Sequence, residues 1–210
     1  MKTAAALCGL ILLMAACTNE RAPGVPASDS LVQRDTAPLP KSVFANRLSP
    51  VDLSPMDVSY YPIDHPQVRA SGQAPDVPLA RVLYSRPHKG GRALFGALLR
   101  YNEPWRLGAN EATELELFSP ATIQGVRVPA GRYVLYCIPT PTEWTIVFNK
   151  GLYAWGLKFD PAKDVHRFPI PVQKAPEPFE FFTMVFEPVN DGAELVMAWD
   201  DVLTRLPFKF

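Results

Sequence analysis

The chain has 210 residues, 21 basic and 21 acidic side chains, 48% apolar residues and 23 prolines. That length suits one domain or two small ones with a real core, and the apolar fraction excludes a wholly disordered chain. Zero net charge removes the basic field that nucleic-acid binding needs, and a proline content about twice the usual ~5% disfavours a helical bundle, because each ring fixes φ and removes an N–H donor.

Met1-Lys2 followed by the uncharged apolar run Ala4 to Ala16 has the form of an export signal. Thirteen helical residues reach only ~20 Å, short of a ~30 Å hydrocarbon core, so a permanent span is not expected. The run ends Leu13-Met14-Ala15-Ala16-Cys17, which resembles a bacterial lipobox. The resemblance implies removal of residues 1–16 and acylation of Cys17 with palmitate-type chains, a membrane anchor. An ordinary cut near an Ala-x-Ala site would instead leave Cys17 a plain thiol. Thr18 and Asn19, with no aspartate after the cysteine, point to the outer membrane facing the periplasm. Residues 17–53 then read as a Pro- and Ala-rich tether, and 54–210 as a single β domain. With Cys8 removed and Cys17 acylated, Cys137 has no disulfide partner; its place in Tyr133-Val134-Leu135-Tyr136-Cys137-Ile138 predicts a buried structural thiol.

Between Lys41 and Pro78 we expect extended segments and at most one strand, near Val58–Tyr61. Leu94–Arg100 is the best candidate for a short helix, weakened by Gly96. In Thr113-Glu114-Leu115-Glu116-Leu117 the leucines face one way and the glutamates the other, a half-buried strand with a solvated glutamate face. Ile123-Gln124-Gly125-Val126 predicts a tight hairpin. Trp144, Ile146 and Phe148 share a strand face. Phe182, Met184 and Phe186 share another, as do Leu195, Met197 and Trp199, with Asn190-Asp191-Gly192 turning between those two runs. Leu203 to Phe210 is strand-like but broken at Pro207. The sum is an all-β, antiparallel sandwich or barrel-like domain of about eight or nine strands.

The least generic stretch is Tyr84-Ser85-Arg86-Pro87-His88-Lys89-Gly90-Gly91-Arg92-Ala93-Leu94-Phe95-Gly96, leading into Trp105-Arg106-Leu107-Gly108-Ala109-Asn110-Glu111-Ala112-Thr113. Pro129-Ala130-Gly131-Arg132-Tyr133, Trp144 to Asn149, and Trp155-Gly156 follow. In that order these resemble the bacterial domain-of-unknown-function 2911 family, whose pattern runs S-R-P-x-x-x-G-R, F-G, W-R-x-G-A-N-E-x-T, A-G-x-Y, W-x-x-x-F-N and W-G. The resemblance covers about Ser54 to Phe210 and departs in one loop, Leu98-Leu99-Arg100-Tyr101-Asn102-Glu103. It implies an exported, mostly β domain and no established activity.

Physically, Arg86, Arg92 and Arg106 are forked donors suited to carboxylate or phosphate. With Asn110, Glu111 and the walls Trp105 and Trp155 they form a candidate pocket for a small polar ligand or glycan. The competing role is structural: Arg106 or Arg92 pairs with Glu111 and loop carbonyls and locks irregular backbone. His65, His88 and His166 lie at no metal-ligand spacing, and neither a catalytic metal set nor a cofactor motif is present in the sequence. Glu111 as acid/base with Arg106 as oxyanion partner is the enzymatic alternative, an envelope hydrolase or isomerase. A scaffold lipoprotein contacting an envelope protein is the third. The leading expectation is a lipid-anchored, non-catalytic binding domain.

Overall fold

Alternating side chains and frequent Gly, Pro and Asn punctuation lead to short strands joined by tight turns. A computed structural model describes residues 52–210, and the expected signal peptide, the Cys17 anchor and most of the tether lie outside the described residues. Ten strands occur among them: β1 Met56–Tyr61, β2 Ala80–Ser85, β3 Thr113–Leu117, β4 Ala121–Ile123, β5 Val126–Val128, β6 Gly131–Pro139, β7 Glu143–Asn149, β8 Asp164–Pro171, β9 Gln173–Val189 and β10 Gly192–Phe208. The fold is nearly all β and no barrel closes. A six-stranded antiparallel sheet runs β1-β2-β3-β6-β7-β8, β9 pairs with β10, and β4 with β5.

One face of the large sheet supplies Val82, Tyr84, Leu115, Tyr133, Leu135, Cys137, Trp144, Ile146, Phe148 and Phe168 to a single buried cluster. Phe182, Met184 and Phe186 of β9 and Leu195, Met197 and Trp199 of β10 complete it, each run using one side of its strand. This places the β9–β10 hairpin against the sheet as a second layer. The expected hairpins form. Gln124 and Gly125 take φ of 48° and 80°, the left-handed pair that a two-residue loop between Ile123 and Val126 needs. Val189 pairs with Gly192 across Asn190-Asp191.

Four expectations are corrected. Leu94–Arg100 is not helical but a turn, closed by Gly96 N–H donating to the Leu99 carbonyl at 2.8 Å and Leu99 N–H to that of Leu94 at 2.8 Å. The α-helix that does form, α1 His65–Ala70, lies in the supposedly extended segment. Pro66 starts it, and Gly72 at φ 73° ends it, with Gly72 and Gln73 N–H groups donating to the Arg69 and Val68 carbonyls. The glutamate face of β3 is ion-paired rather than solvated: Glu116 meets Arg81 at 2.7 Å, and Glu114 meets Arg132. Pro207 does not break the last strand, which runs on to Phe208.

The second face of the large sheet is covered at its centre. Val134, Tyr136 and Val147 are buried there, and the Phe159 ring stacks on Tyr136 at 4.2 Å. Phe159 belongs to the 150–163 strap that joins β7 to β8. Asn149 fixes this strap, its amide donating to Asp160 O at 2.9 Å and Asp164 Oδ1 at 2.7 Å while its oxygen accepts from Gly151 N–H at 2.7 Å.

Candidate functional site

The motif residues sit in the long 86–112 connection between β2 and β3. Its irregular backbone is tied down at Trp105, whose N–H and C=O exchange two 2.7 Å hydrogen bonds with Cys137 of β6. The Trp105 ring is thereby held in an aromatic cluster, 5.0 Å from Phe182, 5.5 Å from Trp144 and 5.8 Å from Trp199 between ring centres.

Above this floor lies an open cleft of about 410 Å³. Arg92, Arg100, Arg106 and Glu103 supply its charged groups; Leu98, Leu99, Leu157, Trp105 and Trp199 supply apolar wall. Arg100 and Glu103 approach at 3.5 Å as a solvated pair, which leaves two arginines uncompensated. Arg92 donates to the carbonyls of Lys89, at 2.8 Å, and of His88. Arg106 Nη1 donates to the Asn110 carbonyl at 2.5 Å and to that of Trp155 at 2.8 Å, and its guanidinium lies 5.9 Å from the Trp155 ring centre. Neither has a carboxylate partner among the described residues, and Nε and Nη2 of Arg106 make no hydrogen bond there. Burial lowers the Arg106 pKa from its ordinary value, as desolvation of an unpaired cation should.

The seven candidate residues therefore separate. Arg92, Trp105 and Arg106 line the cleft. Asn110 and Trp155 hold Arg106 through their carbonyls. Asn110 also donates its amide to Asp52 Oδ2 at 2.5 Å, from φ 57°. Arg86 is a lock elsewhere: it pairs with Asp57 at 3.0 Å and donates to the Phe182 carbonyl and Thr183 Oγ1, stitching β1 to β9. Glu111 is exposed, lies outside the cleft lining and bonds neither Arg92 nor Arg106. The residues missed from sequence are Leu98, Leu99, Arg100 and Glu103, which sit in the loop that departs from the family pattern, together with Leu157 and Trp199.

Cys137 is fully buried, and burial pushes its thiol far up, away from any nucleophilic form. His65 is buried with Nε2 2.9 Å from the Pro75 carbonyl oxygen, His88 faces Glu180 at 4.0 Å, and His166 stacks on Phe168. No group of three or more His, Cys, Asp or Glu side chains suited to a metal occurs among the described residues.

No curated protein and no solved structure matches the chain. A family model described as protein of unknown function, DUF2911, matches residues 66–208, and the chain belongs to that family.

Proposed function

We propose that the cleft holds the carboxylate or phosphate of a small polar ligand, and that the domain is a non-catalytic binding module of a lipid-anchored envelope protein. The observation that carries this reading is the pair Arg92 and Arg106, which share one open cleft with no carboxylate partner among the described residues. A fixed guanidinium fork matches a planar or tetrahedral oxyanion, and the leucine and tryptophan walls suit an apolar edge such as a sugar face. Glu111 stands outside the cleft, so its placement gives no support to the acid/base alternative.

The test is calorimetric titration with glucuronate and glycerol 3-phosphate, with glucose and glycerol as neutral controls. Saturable binding of either anion, weakened about tenfold in Arg92→Ala, is expected for loss of one charge-assisted contact. Among the described residues Arg92 bonds only to its own loop, so the variant should keep the wild-type melting temperature. Equal binding of the neutral controls, or no saturable binding of any anion, would refute the reading.

A further inference from the structure

The strap between β7 and β8 lends Gly156 and Leu157 to the edge of the cleft and carries a further exposed apolar face. Residues 150–158 read Lys-Gly-Leu-Tyr-Ala-Trp-Gly-Leu-Lys, an apolar and aromatic segment between two lysines, with no acid. Three alternate residues stand out of the surface: Tyr153 is 82% exposed, Trp155 56% and Leu157 73%. This is not a slack loop that has missed the core. Lys150 N–H bonds the Lys163 carbonyl at 2.9 Å, Ala112 N–H bonds that of Ala154 at 3.0 Å, and Arg106 holds that of Trp155. The backbone is fixed along its length while these side chains project.

Cations surround them. The Arg132 guanidinium lies 5.2 Å from the Tyr153 ring centre and that of Arg106 5.9 Å from Trp155. Lys158 has no carboxylate partner among the described residues, and Lys150 places its ammonium 3.7 Å from the Tyr133 ring centre. The chain also enters the described domain here, since Asp52 is bonded by Asn110, whose carbonyl binds Arg106 under Trp155.

We propose that strap 150–158 is the face by which the domain rests on an anionic lipid bilayer. Tyr153 and Trp155 sit at the headgroup level, Leu157 reaches the acyl boundary, and Lys158 extends to lipid phosphates. A membrane fits better than a protein partner on two grounds. Two aromatics of roughly 150–250 Å² each and one leucine fall short of the ~800 Å² per side that a stable protein interface buries. The charged side chains within 150–158 are also lysines alone, which suits an anionic surface, and Asp160 farther along the strap stands 4.0 Å from Lys163.

The chain's own tryptophans provide the test, because Trp105, Trp144 and Trp199 are buried and only Trp155 is open. The full-length chain is mixed with vesicles carrying brominated or ordinary acyl chains, made of phosphatidylcholine with or without phosphatidylglycerol. Attachment through the N-terminus, where present, is common to all samples and cancels in the comparison. Bromine should quench emission in the phosphatidylglycerol vesicles, less so in phosphatidylcholine alone. The quenching should be lost in Trp155→Phe and reduced in Lys158→Glu, both at exposed positions. Emission that ignores bromine while Trp155 stays open to aqueous iodide, or quenching that survives Trp155→Phe, would overturn the proposal.

Discussion

Arg106→Met separates the cation's role in holding the backbone from everything else near it. The substitution keeps an unbranched stem and removes the guanidinium, so the carbonyls of Asn110 and Trp155 lose their shared donor. A hydrogen bond from a charged donor contributes ~1.5–3 kcal/mol. The Asn110 bond is part-buried and takes that value, whereas the Trp155 bond is exposed and water can replace most of it. The cation over the Trp155 ring adds ~0.5–1 kcal/mol at such a site. Relief of the guanidinium's partial desolvation offsets some of this, leaving about 2–3 kcal/mol. Arg106→Lys keeps the charge without the fork and should lose about half as much. Trp155→Ala keeps the backbone carbonyl and removes only the ring, so its cost should stay below ~1 kcal/mol. Urea unfolding followed by near-UV circular dichroism gives the order directly, provided the denaturant slope is unchanged. The reasoning is refuted if Arg106→Met lies within ~0.5 kcal/mol of wild type, or if Trp155→Ala costs as much as Arg106→Met.

Three further outcomes are expected. Gly192 has φ 150°, and a Cβ there would overlap the Phe208 backbone carbonyl, so Gly192→Ala should cost ~2 kcal/mol or more in urea unfolding. Gly125→Ala, at φ 80° but in open space, should cost only ~1 kcal/mol, and equal losses would undo the steric account. Cys137 should resist Ellman's reagent in the folded protein and react at the rate of global unfolding; prompt labelling would contradict its burial. Stability should fall at both ends of the pH scale. Burial and the Asp164 hydrogen bond push Tyr136 up to about 12, whereas an unfolded tyrosine ionises near 10.0, so its contribution is whole below 10.0 and lost as pH rises toward 12. Burial and Lys150 hold His166 below 6.5, so its contribution is present above 6.5 and lost as pH falls. Tyr136→Phe should flatten the alkaline slope of unfolding free energy and His166→Asn the acid one; slopes that persist would remove these assignments.

The two-layer core was legible because its strands carry a strict period of two: Leu115 and Leu117, Trp144 to Phe148, and Phe182 to Phe186 each give one buried side. Helix α1 was not, since six residues opened by proline and closed by glycine show no 3.6-residue period to detect. Leu94–Arg100 misled for the opposite reason: apolar residues spaced like a helix face instead support a closed turn whose Leu98 and Leu99 wall the cleft. Glu114 and Glu116 looked solvated because their partners, Arg132 and Arg81, are distant in sequence and adjacent only across strands. The same limit applies to the site. Arg92, Trp105 and Arg106 were identifiable by residue type, but whether each faces a cleft or a carbonyl depends on long-range pairing such as Trp105 with Cys137.

Locking and ligand binding, two roles the sequence leaves compatible, meet at Arg106 within one guanidinium. Gly156 is what allows it. At φ 83°, a Cβ there would stand 2.8 Å from the Arg106 Cβ and 3.1 Å from that of Ala112, so only glycine lets the strap cross the arginine stem this closely. The crossing brings the Trp155 carbonyl within reach of Nη1, while Asn110, at φ 57°, offers its own carbonyl and ties its side chain to Asp52. Nη1 is thus committed to backbone, and the planar group is held beside the cleft with Nε and Nη2 unbonded to any described residue. A side chain fixed in this way loses less rotamer entropy on meeting an anion than a free surface arginine does, so the lock is the preorganisation an anion site requires.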